Sequence, residues 1–164
     1  MRVDLAVTMV REFQRGLHAM FPDIQCSIEL YEPKQPFYSW CAVWMDHLPD
    51  GLRGVYMLSD PADSRVLYIG KADRSSIGGR LWHHMRVGRP NEFGRLQFHN
   101  CQFISGPKAS RIDPTIRETL FYGEVFVTAL HVEPGELASL LEVFLQTACF
   151  ALDGQIPPLN DRIG

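Results

Sequence analysis

The stretch that decides the fold of this chain runs Gly54-Val55-Tyr56-Met57-Leu58-Ser59, then Asp60-Pro61-Ala62-Asp63-Ser64, then Val66-Leu67-Tyr68-Ile69-Gly70. The first and last segments are rich in β-branched and aromatic residues, which favour strands, and the segment between them has the composition of a turn. The sequence therefore predicts a β-hairpin that brings Tyr56 and Tyr68 close together.

A helix is predicted directly after this hairpin, from Ser76 to Val87. Apolar residues recur at every fourth position of this segment and form a stripe that a helix would bury. These residues are Ile77, Leu81 and Met85. Arg80 and His84 have the same spacing one step around the helix, so they are predicted to share a second face.

The other predicted elements supply the scaffold. They are a helix capped by Asp4 and ending near Met20, a strand from Phe37 to Met45, a strand from Glu124 to Val132 that joins the hairpin, and a long helix that follows Pro134-Gly135 and ends near Phe150. Glu142 lies on the last helix, at the border of its apolar face. Without a motif to place it, such a residue is most often an exposed glutamate.

The two triplets Gly54-Val55-Tyr56 and Tyr68-Ile69-Gly70, followed by Arg80 and then His84, resemble the signature of the GIY-YIG endonuclease superfamily. That family completes its site with a metal-binding glutamate on a later helix and with an asparagine shortly before the end of the domain.

Glu142 and Asn160 occupy the corresponding places, so the resemblance extends from Gly54 to Asn160. Two features depart from the family pattern. The stretch between Glu142 and Asn160 is longer than the family has, and Gly88 to Tyr122 resembles an insertion.

The resemblance implies an α+β fold in which a small three-stranded antiparallel sheet is flanked by helices. Residues 54–164 would form this core, with the insertion at about residues 88–122. Residues 1–53 are interpreted as an α/β extension packed on the core, because a separate unit of about 50 residues without disulfides or metals is marginally stable.

The resemblance also implies a divalent-metal-dependent endonuclease that hydrolyses DNA phosphodiester bonds. Glu142 would bind one Mg²⁺ or Mn²⁺ ion that keeps most of its waters. Arg80 would hold phosphate oxygens in a bidentate grip. Asn160 would position the helix on the metal side or a phosphate.

The two tyrosines and His84 complete the implied catalytic set. Tyr56 would contact the attacking water, and Tyr68 would orient the phosphate or the water. A phenol with a pKa near 10 is a poor base at neutral pH, so Tyr56 would need His84 as proton acceptor or the positive charges of Lys71 and Arg80. Which tyrosine is the general base stays open at this point.

The distribution of charge also favours a nucleic-acid partner, although the formal net charge is −3. Residues 65–111 carry nine basic and two acidic side chains, and the segments on either side are acidic. A basic surface attracts a polyanion even in an acidic protein. The predicted nucleic-acid contacts are Lys71, Arg74, Arg86, Arg89 and Arg95. The alternative is an ordinary solvated charged face.

Composition sets the remaining expectations. The chain has 164 residues, of which 46% are hydrophobic and 21% charged, as in ordinary globular domains. The sequence shows neither a signal peptide nor an apolar run long enough to span a membrane, so a cytoplasmic protein is expected. The four cysteines form no closely spaced pair and are expected to be reduced.

The sequence is compatible with three alternatives to the nuclease interpretation. The chain could be a nucleic-acid-binding module of the same fold without cleavage, or an interaction domain without a nucleic-acid partner. A zinc site is a minor alternative, since its candidate ligands lack the paired spacing of structural zinc sites. Those candidates are His83, His84, His99 and Cys101. The sequence does not separate DNA from RNA, and it leaves a homodimer open as one route to specificity.

Overall fold

The computed structural model describes residues 1–32, 36–42, 48–86, 88–105, 109–110 and 112–164. Within these ranges the helices and strands follow in the order α1 Val3–Met20, β1 Ser27–Tyr31, α2 Phe37–Ala42, β2 Gly54–Ser59, β3 Val66–Ala72, α3 Ile77–Met85, β4 Arg89–Pro90, β5 Leu96–Gln97, α4 Gln102–Ser105, α5 Pro114–Phe121, β6 Phe126–Glu133 and α6 Leu137–Asp153. The α+β class predicted from the sequence is confirmed.

In the described residues, the main sheet has four antiparallel strands in the order β1-β6-β2-β3, so the expectation of three strands is wrong. The predicted hairpin of β2 and β3 is present, and β6 is the predicted third strand. The additional strand β1 pairs with β6 over its whole length, Ser27 opposite Glu133 and Tyr31 opposite Ala129. This strand is short and largely exposed, so its apolar residues form too short a pattern to predict a strand from the sequence.

The predicted strand from Phe37 to Met45 is also wrong, because residues 37–42 form helix α2. Residues 43–47 lie outside the described part of the chain. Long-range contacts fix the start of this helix: the Phe37 N–H donates to the Val125 carbonyl and the Tyr38 N–H to the Gly123 carbonyl. The Phe37 ring packs 5.7 Å from the ring of Phe98. These tertiary contacts override the local alternation that favoured a strand.

Two hydrophobic layers cover the sheet. Helices α1 and α6 pack on the face that carries Val55, Met57 and Ile69. The opposite face carries Tyr56 and Leu58 and is covered by α2 through α5, so the predicted insertion at residues 88–122 builds much of this second layer. Residues 1–53 contribute α1 to the first layer and β1 to the sheet.

The helix ends show how the sequence sets the boundaries. Helix α3 begins after Ser76, whose Oγ accepts a hydrogen bond from the Gly79 N–H at 3.1 Å. Helix α6 ends at Gly154, which has the left-handed conformation with φ 71°. Asp4 lies in the first turn of α1 and does not cap it, since Arg2 holds the cap position. A carboxylate in the first turn still interacts favourably with the helix dipole.

The structure also bears on two expectations from the sequence, that no segment spans a membrane and that the cysteines are reduced. Among the described helices, none combines the length and the apolarity that a membrane crossing needs. Cys26, Cys101 and Cys149 are free thiols, and the side chain of Cys41 lies outside the described residues.

Candidate active site

Tyr56 and Tyr68 lie on the same face of the sheet. Tyr56 pairs with Gly70 across the hairpin, and Tyr68 pairs with Leu58, so the two tyrosines are diagonal neighbours. Their ring centroids are 5.8 Å apart. The proximity predicted from the hairpin is therefore confirmed.

Steric constraints explain the glycine in each triplet. A Cβ atom at Gly70 would lie 2.5 Å from Cε1 of Tyr68 and 3.0 Å from Cζ of Tyr56. A Cβ atom at Gly54 would lie 1.9 Å from the Leu130 carbonyl oxygen, and Gly54 has φ +141°, which other residues rarely adopt. Gly70 thus leaves the space that both tyrosine rings occupy.

We expect Gly70→Ala to displace the ring of Tyr68 and to destabilise the fold by about 1–3 kcal/mol, as overpacking does in a dense core. Chemical denaturation measures the loss of stability, and the ring signals of Tyr68 in an NMR spectrum report the displacement. Gly16→Ala on α1 is the control, because a Cβ atom there meets nothing within 4 Å. Unshifted Tyr68 signals in Gly70→Ala would contradict the steric role of this glycine.

Helix α3 places His84 against the two tyrosines. The His84 ring lies 6.3 Å from the ring of Tyr56 and 5.4 Å from that of Tyr68, and the residue is 8% exposed. Arg80 is half-buried one turn earlier, and its charge acts on Tyr56, Tyr68 and His84. The structure therefore brings these four predicted residues into one cluster.

Three polar atoms in this cluster are buried without a hydrogen-bond partner among the described residues: the Tyr56 hydroxyl and both ring nitrogens of His84. The charges and dipoles of Arg80, Tyr68 and Gln102 lie near enough to act on them, but none completes a well-oriented hydrogen bond. An unsatisfied buried polar group costs about 1–3 kcal/mol, so such groups are rare and often functional.

Burial sets the protonation of the cluster. It strongly raises the pKa of the Tyr56 hydroxyl, with Tyr68 adding to the shift and Arg80 opposing it. Burial, and after it the charge of Arg80, lower the pKa of His84 to about 4. The phenol of Tyr56 is therefore protonated and His84 is neutral at pH 7.

The environment of Tyr68 differs from that of Tyr56. Burial raises the pKa of Tyr68, the neighbouring Tyr56 hydroxyl lowers it, Glu142 raises it and Arg80 lowers it. Tyr68 is also half-buried where Tyr56 is fully buried. Of the two phenols, Tyr68 is the one that can meet a ligand directly.

A groove of roughly 870 Å³ runs along the edge strand β3 and joins this cluster to the opposite layer. Tyr68, His84, Glu142 and Asn160 line it together. Glu142 comes from α6 on the other face of the sheet, and it reaches the groove because α6 packs beside β3 at the sheet edge. Residues from both layers thus meet at one site.

The Glu142 carboxylate is 8% exposed and faces a cation. Its Oε2 lies 3.7 Å from the Lys71 Nζ, which also donates to the Ser139 Oγ at 2.8 Å. Burial raises the pKa of Glu142, while the charge of Lys71 opposes that shift. The Lys71 ammonium thus partly neutralises the Glu142 carboxylate in the absence of another cation.

Asn160 lies at the same groove, and its side-chain amide is hydrogen-bonded to the backbone of β3. The Asn160 Oδ1 accepts from the Ile69 N–H at 2.9 Å, and its Nδ2 donates to the Ile69 carbonyl at 2.8 Å. The Leu159 N–H donates to the Leu67 carbonyl at 2.9 Å. Asn160 therefore attaches residues 159 and 160 to β3, and its expected role in positioning α6 or a phosphate stays a prediction.

Two residues at the site were missed by the sequence reasoning. Phe103 of α4 stacks on His84 at 5.1 Å and 14°, and its ring lies 5.0 Å from Tyr68. The buried Gln146 donates to the Ile69 carbonyl at 3.1 Å. Gln146 follows Glu142 by one helical turn, so helical spacing could have identified it, whereas no local signal pointed to Phe103.

The five predicted nucleic-acid contacts divide into two groups. Arg74, Arg86 and Arg89 are exposed. Lys71 is paired with Glu142, and Arg95 is paired with Glu124 while its guanidinium stacks 3.4 Å above the Tyr122 ring. The first group is the one free to meet a phosphate backbone.

Within the described residues, no three His, Cys, Asp or Glu side chains come together as a metal site. The donor set of the groove still fits Mg²⁺ or Mn²⁺, because proteins hold Mg²⁺ through one or two carboxylates, and waters and substrate oxygens complete its shell. Glu142 is the buried carboxylate at the groove that would supply this ligand.

Comparisons with protein-family models, curated proteins and solved structures give no match to this chain.

The low pKa of His84 predicts acid sensitivity. Its folded-state pKa of about 4 lies below the ordinary value of 6.5, so the unfolded chain binds more protons between these pH values. Stability from this group is complete above pH 6.5 and is lost as the pH falls towards 4, by on the order of 3 kcal/mol. Denaturation midpoints of wild type and His84→Phe across this range measure it. His18→Phe, at an exposed position, is the control and should show the same pH dependence of stability as the wild type. An unchanged pH dependence in His84→Phe would contradict the assignment.

Proposed function

We propose that the groove at the edge of β3 is the active site of a divalent-metal-dependent endonuclease that hydrolyses DNA phosphodiester bonds. The observation that carries the proposal is the meeting of Tyr68, His84 and Glu142, drawn from both layers, at one groove backed by unsatisfied polar atoms. The order of the two triplets, Arg80, His84 and Glu142 along the chain supports it further.

Glu142 is the residue that would hold the metal ion, which would supply charge stabilisation for the phosphate and its leaving oxygen. Lys71 lies 3.7 Å from the same carboxylate and competes for it. A Lys71 ammonium that no longer pairs with Glu142 would be available to a phosphate oxygen.

Tyr68 is the better candidate for contact with the attacking water, in place of Tyr56. It lines the groove, and although burial raises its pKa, the hydroxyl of Tyr56 behind it opposes that shift. Neutral His84 offers a ring nitrogen as hydrogen-bond acceptor, since both of its nitrogens lack partners among the described residues. A phosphate bound in the groove would raise its pKa and so allow it to accept the displaced proton. Tyr56 then acts by supporting Tyr68.

Arg80 would stabilise the charge that builds up on the phosphate. We expect Arg80→Lys to lower turnover by about 100-fold, because a lysine ammonium cannot replace a bidentate guanidinium. DNA affinity should change little, since one phosphate contact among several contributes little to binding. Arg74→Lys is the control at an exposed position and should cleave at the wild-type rate. Equal rates for wild type and Arg80→Lys would remove Arg80 from the site.

The test of function is direct. Purified protein is incubated with supercoiled, branched and single-stranded DNA, with Mg²⁺, with Mn²⁺ and with a chelator. We expect cleavage of at least one DNA form that needs the metal. Salt-sensitive retention of DNA without cleavage of any form would favour the binding module instead.

A further inference from the structure

The short hairpin formed by β4 and β5 carries a highly exposed aromatic side chain at its tip. Phe93 is 84% exposed, more than any other large hydrophobic residue among those described. An exposed phenyl ring in water forgoes the free energy that its burial would give. A single exposed hydrophobic residue is common on protein surfaces, so exposure alone does not indicate a binding role for Phe93. The conformation of the turn and the anchoring of the hairpin are the further evidence.

The turn beneath Phe93 is tightly hydrogen-bonded. The Asn91 Oδ1 accepts from the Phe93 N–H at 3.0 Å and from the Arg95 N–H at 2.9 Å. The Asn91 N–H donates to the Arg95 carbonyl at 2.9 Å, and Gly94 has the positive φ of +76° that this turn needs. The backbone therefore fixes the direction in which Phe93 projects.

The base of the hairpin is anchored to the body of the protein. The Arg95 guanidinium pairs with Glu124 and stacks above the ring of Tyr122. Phe98, directly after β5, is fully buried, and its N–H donates to the Phe121 carbonyl at 2.7 Å. A rigid aromatic residue loses little conformational entropy when it binds, which suits it to recognition.

Charge and position indicate the kind of partner. The exposed Arg86 and Arg89 precede the tip and outnumber the one exposed carboxylate at the tip, Glu92. The hairpin connects α3, which carries His84, with α4, which lines the groove. Phe93 lies nine positions after His84, so the tip lies at most about 30 Å from the cluster. A nucleic acid that occupies the groove extends over that distance within about nine nucleotides of one strand.

We propose that Phe93 stacks on an unpaired base of the nucleic acid whose backbone occupies the groove. The proposal rests on the proposed function and adds the substrate class: strands with exposed base faces, such as gaps, flaps or branches, bind better than intact duplex. Aromatic side chains beside arginines are the usual means of binding unpaired bases, because every base offers a π-face.

The test measures binding in the presence of a chelator, which keeps it independent of cleavage. The probes are a single-stranded oligonucleotide and a gapped duplex that carry 2-aminopurine at an unpaired position, together with an intact duplex of the same sequence. We expect Phe93→Ala to weaken binding of the unpaired probes about tenfold and to remove the quenching of 2-aminopurine. Phe93→Trp should retain both, and duplex binding should not change.

Phe150→Ala is the matched control, because Phe150 is 52% exposed on α6, in the other layer. Wild-type binding and quenching by Phe93→Ala would overturn the inference, even where metal-dependent cleavage is observed. Loss of quenching in Phe93→Ala without cleavage by the wild type would overturn the nuclease and leave the stacking role standing. A wild-type protein that binds none of the probes would overturn both.

Discussion

Glu142→Gln is expected to lower metal-dependent DNA cleavage by at least about a thousandfold, a loss of the size seen when a central charge-stabilising group is removed. The amide keeps the shape of the side chain but provides a weaker, uncharged ligand. Steady-state cleavage at several Mg²⁺ concentrations measures the effect. Stability should change by no more than about 1 kcal/mol, because the partly exposed Lys71 ammonium keeps its hydration and its hydrogen bond to Ser139 when the ion pair is lost.

The matched control is Glu136→Gln, an exposed glutamate next to the start of the same helix. It makes the same change of charge without touching the groove and should cleave at the wild-type rate. Glu142→Gln should also retain DNA in the presence of a chelator. Cleavage by Glu142→Gln within a few-fold of wild type would exclude this carboxylate as the metal ligand.

The second large effect is expected from removing one tyrosine hydroxyl at a time. Tyr68→Phe should reduce turnover by on the order of 100-fold or more, because Tyr68 lines the groove and would contact the water. Tyr56→Phe should reduce turnover less, since its hydroxyl is fully buried behind Tyr68. Single-turnover cleavage by the two variants measures the difference.

Removal of the Tyr56 hydroxyl should also change the stability of the protein. The Tyr56 hydroxyl is buried without a hydrogen-bond partner in the described part of the protein, so Tyr56→Phe should raise the free energy of unfolding by about 1 kcal/mol. A variant that is more stable and less active shows that the hydroxyl is retained for function. A destabilised Tyr56→Phe would mean that the hydroxyl has a structural partner, and the polar cluster would lose its functional explanation.

Local patterns predicted the part of the fold that depends on neighbours in sequence. The hairpin of β2 and β3, the stripe of α3 and the long helix α6 each follow from turn chemistry or helical spacing within a few residues. The errors concern segments that long-range contacts decide. Helix α2 begins where Phe37 bonds to Val125, and β1 forms only because β6 lies beside it.

In the candidate site, too, local patterns could place some residues and not others. Helical spacing was enough to place Arg80 beside His84, and the hairpin was enough to join the two tyrosines. The position of Glu142 could not be derived locally, because it depends on α6 packing along β3 from the other layer. Phe103 was missed for the same reason, since its contact with His84 forms only when α4 folds onto α3.

Mn²⁺-induced broadening of NMR signals can locate a metal ion bound at Glu142, and it does so without depending on the choice of DNA. Small amounts of Mn²⁺ are added to the wild type and to Glu142→Gln. We expect the signals of four residues at the groove to broaden first in the wild type, those of α1 to stay sharp, and the variant to lose this preference. The four residues are Tyr68, Lys71, His84 and Glu142. Uniform broadening, or the same preferential broadening in wild type and Glu142→Gln, would contradict a metal site at the edge of β3.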